Sequence, residues 1–313
     1  MSIWRLRLAA LGTLALLIGI STLIFAAVLT LINSLSIYLL VLLVAGFNLL
    51  QWLIAPYIID AMYGTRPIEE SENPRLHAIV SSLAERSGIK KPKLMLADVP
   101  IPNAFAYGSP LTGSRVAVTR GLLSSLEDEE IEAVLGHELG HLKHKDVQIM
   151  MVASLLPAIF YYIGYSLLWS GYSSRDRESA SPAVIGMILI FFYWILNLIV
   201  LGLSRLREYY ADYHSVSIVP DGRRKLAEAL AKIVYHTSAH PMRQALGFKA
   251  LLISDPDRAA RDYAELSQLG YTDSELVQKI LSRKVTLADR IVELFSTHPN
   301  IVKRIKAILS YQS

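Results

Sequence analysis

Two histidines and a glutamate stand at a spacing that could hold and use a metal ion. They form the run His137-Glu138-Leu139-Gly140-His141, an H-E-x-x-H motif. On a helix, positions i and i+4 share one face, so both imidazoles can reach the same ion. Glu138 lies beside them and can take a proton from a water molecule bound to that metal. The pattern therefore predicts metal-assisted hydrolysis with Glu138 as the general base.

A catalytic zinc site of this kind needs a third protein ligand and an open position for water. No third histidine follows the motif at the metzincin spacing, which favours a carboxylate as the remaining ligand. Glu208 is the best candidate, and Asp212, one helical turn later, can orient a ligand histidine through its ring N–H. Glu208 could equally neutralise Arg205 and Arg207, and spacing alone does not separate the two interpretations.

The composition indicates an integral membrane protein. Of the 313 residues, 53% are hydrophobic and only 19% are charged, which is too apolar for an ordinary soluble domain. Cysteine is absent, which excludes disulfides, thiolate zinc sites and a cysteine nucleophile. The net charge of +4 comes without a patch of mixed basic and aromatic residues, so we expect no nucleic-acid partner.

Four apolar stretches are long enough to cross a bilayer, which takes about 20 residues. They are residues 8–32, 35–59, 147–169 and 183–203. The first is too long for a signal peptide and lacks a small-residue cleavage site, so we interpret it as a retained span. The sequence therefore predicts about four transmembrane helices, arranged as two hairpins.

Basic residues flank the four spans on one side. They are Arg5, Arg7, Arg66, Lys143, Lys145, Arg205 and Arg207. The positive-inside rule then places both termini, and residues 60–146 and 204–313, in the cytoplasm. We expect a multi-pass protein of the plasma membrane, with the lipid bilayer as its surroundings and its catalytic site on the cytoplasmic side.

Hydrophobic periodicity predicts the elements between the spans. It indicates a helix over 73–87 that stops at Gly88, a strand over 93–97, and paired strands over 103–107 and 115–119. A further helix should begin at Ser125, where Ser125 and Asp128 resemble a capping box, and it carries the motif. The predicted fold is a mainly α membrane protein with a small α+β cytoplasmic catalytic domain that resembles the zincins.

Four segments follow from this interpretation. Residues 1–59 form a transmembrane hairpin, and 60–146 form a cytoplasmic α/β part that ends in the motif helix. Residues 147–203 form a second hairpin, and 204–313 a cytoplasmic helical part that carries Glu208. The motif helix enters the third span, and Glu208 follows the fourth on the same side. A short connection makes those spans neighbours, so both ligand segments should converge at one membrane face.

The sequence resembles the HtpX-type membrane zinc peptidases, which are related to the CAAX prenyl protease. The resemblance covers nearly the whole chain. Its most specific matches are Pro102-Asn103-Ala104-Phe105-Ala106, Val118-Thr119-Arg120-Gly121-Leu122, the H-E-x-x-H run, Ser204-Arg205 with Arg207-Glu208 and Ala211-Asp212, and Ser296-Thr297-His298-Pro299. It implies one zinc ion per chain, held by His137, His141 and Glu208.

The resemblance also implies how substrate is held. The segment that contains Asn103, Ala104 and Phe105 is expected to form a strand edge that binds extended polypeptide through backbone hydrogen bonds. His298 is expected to stabilise the oxyanion as a catalytic residue, and Arg304 to contact the substrate backbone. Taken without the resemblance, His298 could cap a helix beside Pro299, and Arg304 could be a surface helix residue.

The expected function is that of a zinc metalloendopeptidase that cleaves misfolded or damaged membrane proteins at the cytoplasmic face, as part of stress-related quality control. This substrate class is implied by the resemblance. Two alternatives stay open. One is a processing protease for defined substrates, such as prenylated chains, although four spans argue against the large chamber of the prenyl proteases. The other is a metal-binding membrane scaffold without catalysis, which would not need Glu138.

Overall fold

A computed structural model describes residues 37–173, 181–239 and 272–311, and the first predicted span lies outside them. The described chain is mainly helical. Its helices are α1 (Ile37–Tyr63), α2 (Pro74–Ser87), α3 (Arg120–Ser125), α4 (Asp128–Lys143), α5 (Asp146–Ser173), α6 (Ser181–Ile218), α7 (Gly222–Ala239), α8 (Asp273–Ser282), α9 (Leu287–Leu294) and α10 (Ile301–Ser310). The chain divides into two units; the first contains Leu53–Val147 and Arg205–Ser313, and the second contains Gln148–Ser204.

One four-stranded sheet lies in the first unit, with the order β1-β2-β4-β3. Its strands are β1 (Arg66–Pro67), β2 (Lys93–Ala97), β3 (Ala104–Ser109) and β4 (Gly113–Thr119). β3 and β4 form an antiparallel hairpin, β2 pairs with β4 in parallel, and β1 pairs with β2 in antiparallel. β3 is therefore an edge strand of this sheet, and the predicted strand at 93–97 and the predicted strand pair are confirmed.

The larger apolar core of the first unit lies between the sheet and its helices. Helix α4 packs against the edge strand β3 and against α2 and α7. Side chains without solvent exposure come from every layer, and they include Val80, Leu83, Val116, Val118, Leu135, Leu139 and Ile305. Burying each such aliphatic side chain contributes about 1.5–3 kcal/mol. This core surrounds α4 and holds the H-E-x-x-H run in a fixed place.

The second unit contains most of α5 and the first part of α6. Its two helices pack through apolar residues such as Phe160 and Leu196, and Gly164 and Gly186 lie in close backbone contact. Large apolar side chains also face outward, with Phe191 63% and Trp194 60% exposed. Residues Asp146–Tyr165 and Pro182–Ile218 are long and apolar enough to cross a membrane. A count of four spans stays a prediction.

Helix α2 begins and ends where the sequence predicts. The side chain of Asn73 caps it by accepting a hydrogen bond from the backbone N–H of Leu76 at 3.0 Å. Gly88 ends it with a φ of 66°, in the left-handed region that glycine adopts without steric cost.

The capping box predicted from Ser125 and Asp128 is wrong. Ser125 ends the short helix α3, and Leu126 then adopts an extended conformation that separates the two helices. Helix α4 begins at Asp128, and its capping box is formed by Glu127 and Glu130. The motif helix therefore begins about one turn later than predicted, and the acidic residues of this segment lie at its positive end.

The β3–β4 hairpin depends on a glycine at a position of close backbone contact. Gly108 has a φ of 155°, and a Cβ at this residue would lie 2.4 Å from the carbonyl oxygen of Gly113. Gly113 also has a positive φ, of 71°, but nothing lies within 4 Å of its Cβ position. The two glycines therefore differ in packing while both adopt backbone conformations that favour glycine.

We predict that Gly108→Ala destabilises the protein more than Gly113→Ala does. Both changes place a side chain on a backbone conformation that favours glycine, at a cost of about 1–2 kcal/mol. The first change adds a clash across the hairpin, at a further cost of roughly 1–3 kcal/mol. Thermal unfolding of the detergent-solubilised variants measures the difference as a lower Tm. Equal losses for the two variants would contradict the hairpin geometry.

Candidate metal centre and active site

The H-E-x-x-H run lies on α4, and its two histidines face the same point. Their side chains are four residues apart on one helix, and the Nε2 atoms of His137 and His141 are 3.1 Å apart. His137 is buried, and His141 is partly exposed. Both rings therefore direct the same nitrogen at a shared point between them.

Glu208 reaches this point from α6. Its carboxylate oxygens lie 3.8 Å from Nε2 of His137 and 3.5 Å from Nε2 of His141. One ligand atom from each of the three residues lies within 4.8 Å of the other two. Two imidazole nitrogens and a carboxylate oxygen are the donors of a His₂Glu zinc site, so the residues present fit a metal ion.

Each ligand histidine is supported by a carboxylate on its other ring nitrogen. Nδ1 of His137 lies 2.9 Å from Oδ1 of Asp212, and Nδ1 of His141 lies 2.7 Å from Oδ2 of Asp146. A hydrogen bond at Nδ1 leaves the lone pair on Nε2, which is the atom that faces the shared point. These two carboxylates thus orient both rings for metal binding.

Sequence reasoning missed Asp146. Its signal was present, because it is the first residue of α5 and lies five positions after His141. A turn at His144 and Lys145, where Lys145 has a φ of 55°, separates α4 from α5 and directly precedes Asp146. Arg207 forms an ion pair with Asp146 and also donates to the carbonyl oxygen of His144 at 2.8 Å.

Close packing of α4 against α6 allows these contacts. A Cβ on Gly140, the fourth residue of the motif, would lie 3.0 Å from Cα of Ala211. One turn earlier, a Cβ on Gly136 would lie 3.1 Å from Oγ of Ser215, which donates to the carbonyl oxygen of Ala133 at 2.6 Å. The two glycines therefore let the helix backbones approach closely enough for Glu208 to meet both histidines.

Glu138 is buried beside the edge strand. Its side chain accepts a hydrogen bond from the backbone N–H of Ala106 on β3. Burial raises the pKa of Glu138 to about 7, and the nearby Glu208 acts in the same direction. A carboxylate with a pKa near neutrality is well matched to general-base chemistry.

His137 is held as a neutral imidazole. Burial and the positive charge of Arg304 together lower the pKa of His137 to about 4, against the opposing effect of Asp212. Only a neutral imidazole offers a lone pair to a metal, so this environment suits a ligand.

The alternative interpretation of His298 as a helix cap is wrong. Asn300 caps α10, because its side chain accepts a hydrogen bond from the N–H of Val302 at 3.0 Å. His298 instead lies beside the candidate metal ligands, with Nε2 3.6 Å from Oε1 of Glu208. Its Nδ1 is 2.9 Å from the hydroxyl oxygen of Thr297, which fixes the ring.

Arg304 is one of the most buried side chains of the described structure, at 1% exposure, so the alternative of a surface helix residue is also wrong. Its guanidinium donates to both oxygens of Asp212, at 2.8 and 2.7 Å, and lies 3.1 Å from Oε2 of Glu208. Nη2 also lies against the ring of His137. Arg304 therefore holds the carboxylates together, and its contact with substrate stays a prediction.

The three residues expected to bind substrate lie at the start of β3. Asn103, Ala104 and Phe105 are all buried, and the Phe105 ring packs 4.8 Å from that of Tyr63. Asn103 is fixed through its backbone, which donates to Oγ1 of Thr119 at 2.9 Å. Their side chains anchor the edge, so any polypeptide that binds here would meet the backbone of β3.

A second acidic group among the described residues has a different explanation. Glu130, Glu228 and Asp273 lie close enough to hold an ion. Nζ of Lys232 lies 2.9 Å from Glu130 and 3.0 Å from Asp273, so a lysine already supplies the positive charge. We interpret this group as an ion-pair network that joins α4, α7 and α8.

We predict that His144 makes stability depend on pH. Burial lowers the pKa of His144 to about 4, and the charges of Arg207 and Lys143 act in the same direction. In the unfolded chain the pKa is about 6.5, so the unfolded state binds more protons between these values and stability falls as the pH falls from 6.5 towards 4. Between pH 6.5 and pH 4, the free energy of unfolding of His144→Gln should fall by roughly 1–2 kcal/mol less than that of wild type, allowing for screening by solvent.

Thermal unfolding at several pH values in detergent measures this effect, and His77→Gln controls for the loss of an imidazole elsewhere. His77 lies on α2, where its Nε2 is 2.8 Å from the carbonyl oxygen of Ile68. Identical pH profiles for wild type and His144→Gln would contradict the prediction.

Comparisons with known proteins match most of this chain. A family model described as Peptidase family M48 matches residues 70–312, which include every candidate site residue. The protease HtpX homolog of Thermoplasma acidophilum is 38% identical over 272 residues, covering 83% of this chain and 81% of that protein. The HtpX homolog of Aeropyrum pernix is 37% identical over 309 residues, covering 96% of this chain and 94% of that protein.

A solved structure shares the fold. The crystal structure of S. mikatae Ste24p aligns with a TM-score of 0.55 at 20% identity, over 98% of this chain and 66% of that one. At this identity the likeness concerns the fold alone. The family match over most of the chain, together with the HtpX relatives, leads to one conclusion: the chain belongs to peptidase family M48, within its HtpX group.

Proposed function

We propose that the chain is a zinc-dependent endopeptidase of the membrane that cleaves misfolded or damaged membrane proteins at the cytoplasmic face. The observation that carries the proposal is the convergence of His137, His141 and Glu208 on one point, with the buried Glu138 beside it. Relatives whose names describe proteases support peptide hydrolysis. One zinc ion per chain is the metal that two imidazoles and a carboxylate suit best.

When bound, zinc would lower the pKa of water and polarise the scissile carbonyl group. The chain's own residues do the rest. Glu138 accepts the proton of the attacking water and returns it to the leaving amine. The hydrogen bond from the N–H of Ala106 keeps the carboxylate of Glu138 next to β3, the strand with which substrate would pair. Asp212 and Asp146 keep the two ring nitrogens turned towards the ion.

His298 would act on the oxygen of the substrate carbonyl. Its Nδ1 is hydrogen-bonded to the hydroxyl group of Thr297, and its Nε2 lies 3.6 Å from Glu208. Nε2 can therefore donate a hydrogen bond next to the candidate ligands. A hydrogen-bond donor placed where negative charge develops lowers the barrier in the transition state. Arg304 would contribute by balancing the negative charges of Glu208 and Asp212.

Substrate would bind as an additional strand on β3. This strand lies at the edge of the sheet and runs past Glu138, so a chain paired with it would pass the candidate metal site. Backbone pairing does not depend on side-chain identity, which suits an enzyme that acts on many damaged proteins. The basic residues at the ends of the predicted spans support a cytoplasmic location for this site.

We predict that Glu138→Gln abolishes proteolysis while zinc stays bound. The amide keeps the shape of the side chain but cannot accept the proton, and loss of a general base lowers kcat by about 10²–10⁴-fold. The measurement is cleavage of casein and of a membrane-protein substrate by purified protein, with the zinc content determined in parallel. Glu132→Gln, on the same helix but in surface ion pairs, is the matched control. Unchanged cleavage by Glu138→Gln would refute the assigned base.

We also predict that Asp212→Asn weakens zinc binding by about 10–100-fold, because the amide no longer orients and polarises His137. Competition with a zinc chelator measures the affinity without reference to activity. Asp221→Asn, which changes an exposed ion pair with Arg224, controls for loss of one carboxylate. If Asp212→Asn binds zinc as tightly as wild type while remaining folded, the proposed role of Asp212 is wrong.

A further inference from the structure

Helix α9 exposes an apolar face that the proposed peptidase mechanism does not use. Leu287, Ile291, Leu294 and Phe295 are 73%, 51%, 51% and 63% exposed. Their spacing of four, three and one residues places them on one side of a helix. Single exposed apolar residues are common on protein surfaces, but a contiguous face of four indicates a partner or a membrane.

The other side of α9 is fixed to the protein. Thr286 and Asp289 form a capping box at its first turn, with the N–H of Thr286 donating to Asp289 at 2.9 Å. Glu293 is buried, accepts a hydrogen bond from the N–H of Asn300 at 3.0 Å, and pairs with Lys303. These contacts fix α9 on one side, so its apolar face points outward in an ordered helix and not through fraying.

Arg205 ties the end of α9 to the point where the fourth predicted span stops. One guanidinium nitrogen of Arg205 donates to the carbonyl oxygens of Glu293 and Ser296, each at 2.8 Å, and lies 3.2 Å from that of Leu294. Carbonyl groups at a helix C-terminus lack intrahelical partners or have few of them, so they readily accept such hydrogen bonds. Arg205 is the second residue after residue 203, where the predicted span ends, so the end of α9 lies at the predicted membrane boundary.

Basic residues flank the apolar face. Lys284 precedes the helix, Arg290 lies on it, and both are exposed. A short amphipathic helix with basic flanks is the type of element that lies in the plane of a membrane, with its apolar side about 5–10 Å into the headgroup region. Cations beside such a helix favour anionic headgroups. The basic flanks, the exposed apolar residues and the contact of Arg205 with the end of α9 thus all indicate that this face contacts a membrane surface.

We propose that α9 is an interfacial helix that lies on the cytoplasmic surface of the bilayer through Leu287, Ile291, Leu294 and Phe295. This inference rests on the membrane orientation proposed above, in which the fourth span ends next to Arg205. After α9 ends, the chain continues through Ser296 and Thr297 to His298, whose backbone N–H donates to Oγ of Ser296 at 3.2 Å. Lipid contact would therefore fix the segment that presents His298 to the active site.

The absence of cysteine from the chain permits a direct test. Ile291→Cys carries a nitroxide spin label, and the protein is reconstituted in vesicles of phosphatidylcholine with a minor fraction of phosphatidylglycerol. The matched control is Glu129→Cys, an exposed position on the first turn of α4. Glu129 lies 14 residues before Lys143, or about 21 Å along α4 from the end of the helix that leads to the third predicted span.

Electron paramagnetic resonance then compares collisions of each label with oxygen, which concentrates in the bilayer, and with a water-soluble nickel chelate. We expect the label at position 291 to be at least about tenfold less accessible to nickel than the label at position 129, and more accessible to oxygen. Equal nickel accessibility at the two positions would overturn the proposal. Protection from both reagents, with spectral broadening between labels, would identify a second copy of the chain as the occupant and would also overturn it.

A functional measurement separates this inference from the proposed peptidase activity. Ile291→Asp should lower kcat/KM for a membrane-anchored substrate in vesicles by about tenfold, with zinc content unchanged, whereas Ile291→Val should not. Full activity of Ile291→Asp in vesicles would contradict the coupling to His298. If wild type cleaves nothing, the proposed function fails while the spin-label result still decides whether α9 lies in the membrane.

Discussion

The close contact between α4 and α6 is the constraint on which the site depends. Gly140 lies within the motif and faces Ala211, and Gly136 faces Ser215 one turn away. A Cβ at either glycine would force the neighbouring atoms to move by a few tenths of an ångström. Metal–ligand distances are held within about 0.2 Å, so a shift of this size is enough to disturb the position of Glu208. The middle residues of H-E-x-x-H are therefore selected by packing as well as by chemistry.

Charge balance is the second requirement of this buried site. Glu208, Asp212 and Asp146 bring three carboxylates next to two histidines, and all three are buried. Arg304 pairs with Glu208 and Asp212, and Arg207 pairs with Asp146. Buried ion pairs contribute little net stability, because desolvation offsets their attraction. Their role is better understood as holding ligand side chains in one geometry, which is what an ion needs for tight binding.

The elements around the site connect it to the rest of the first unit. The edge strand β3 touches Glu138 through the N–H of Ala106, and α9 leads to His298 within a few residues. Arg205 lies three residues before Glu208 on α6 and holds the end of α9. Glu138 is thus linked to the edge strand of the sheet, Glu208 follows a predicted span, and His298 follows α9.

Local patterns in the sequence were sufficient for the motif helix, for α2 with Asn73 and Gly88 at its ends, and for the β3–β4 hairpin. These features depend on residues a few positions apart, so spacing and turn residues predict them. The capping box at Ser125 failed because two caps compete within a few residues, and only packing chooses between them.

Tertiary structure alone decided the contacts between distant segments. It paired His141 with Asp146 across a turn, placed Arg304 inside the core against Asp212, and excluded His298 as a helix cap. Spacing cannot predict these, because a side chain's partner across 90 residues depends on how whole helices pack. The sequence by itself determined which residues could do the chemistry, and the packing of α4 against α6 and α10 decided which of them meet.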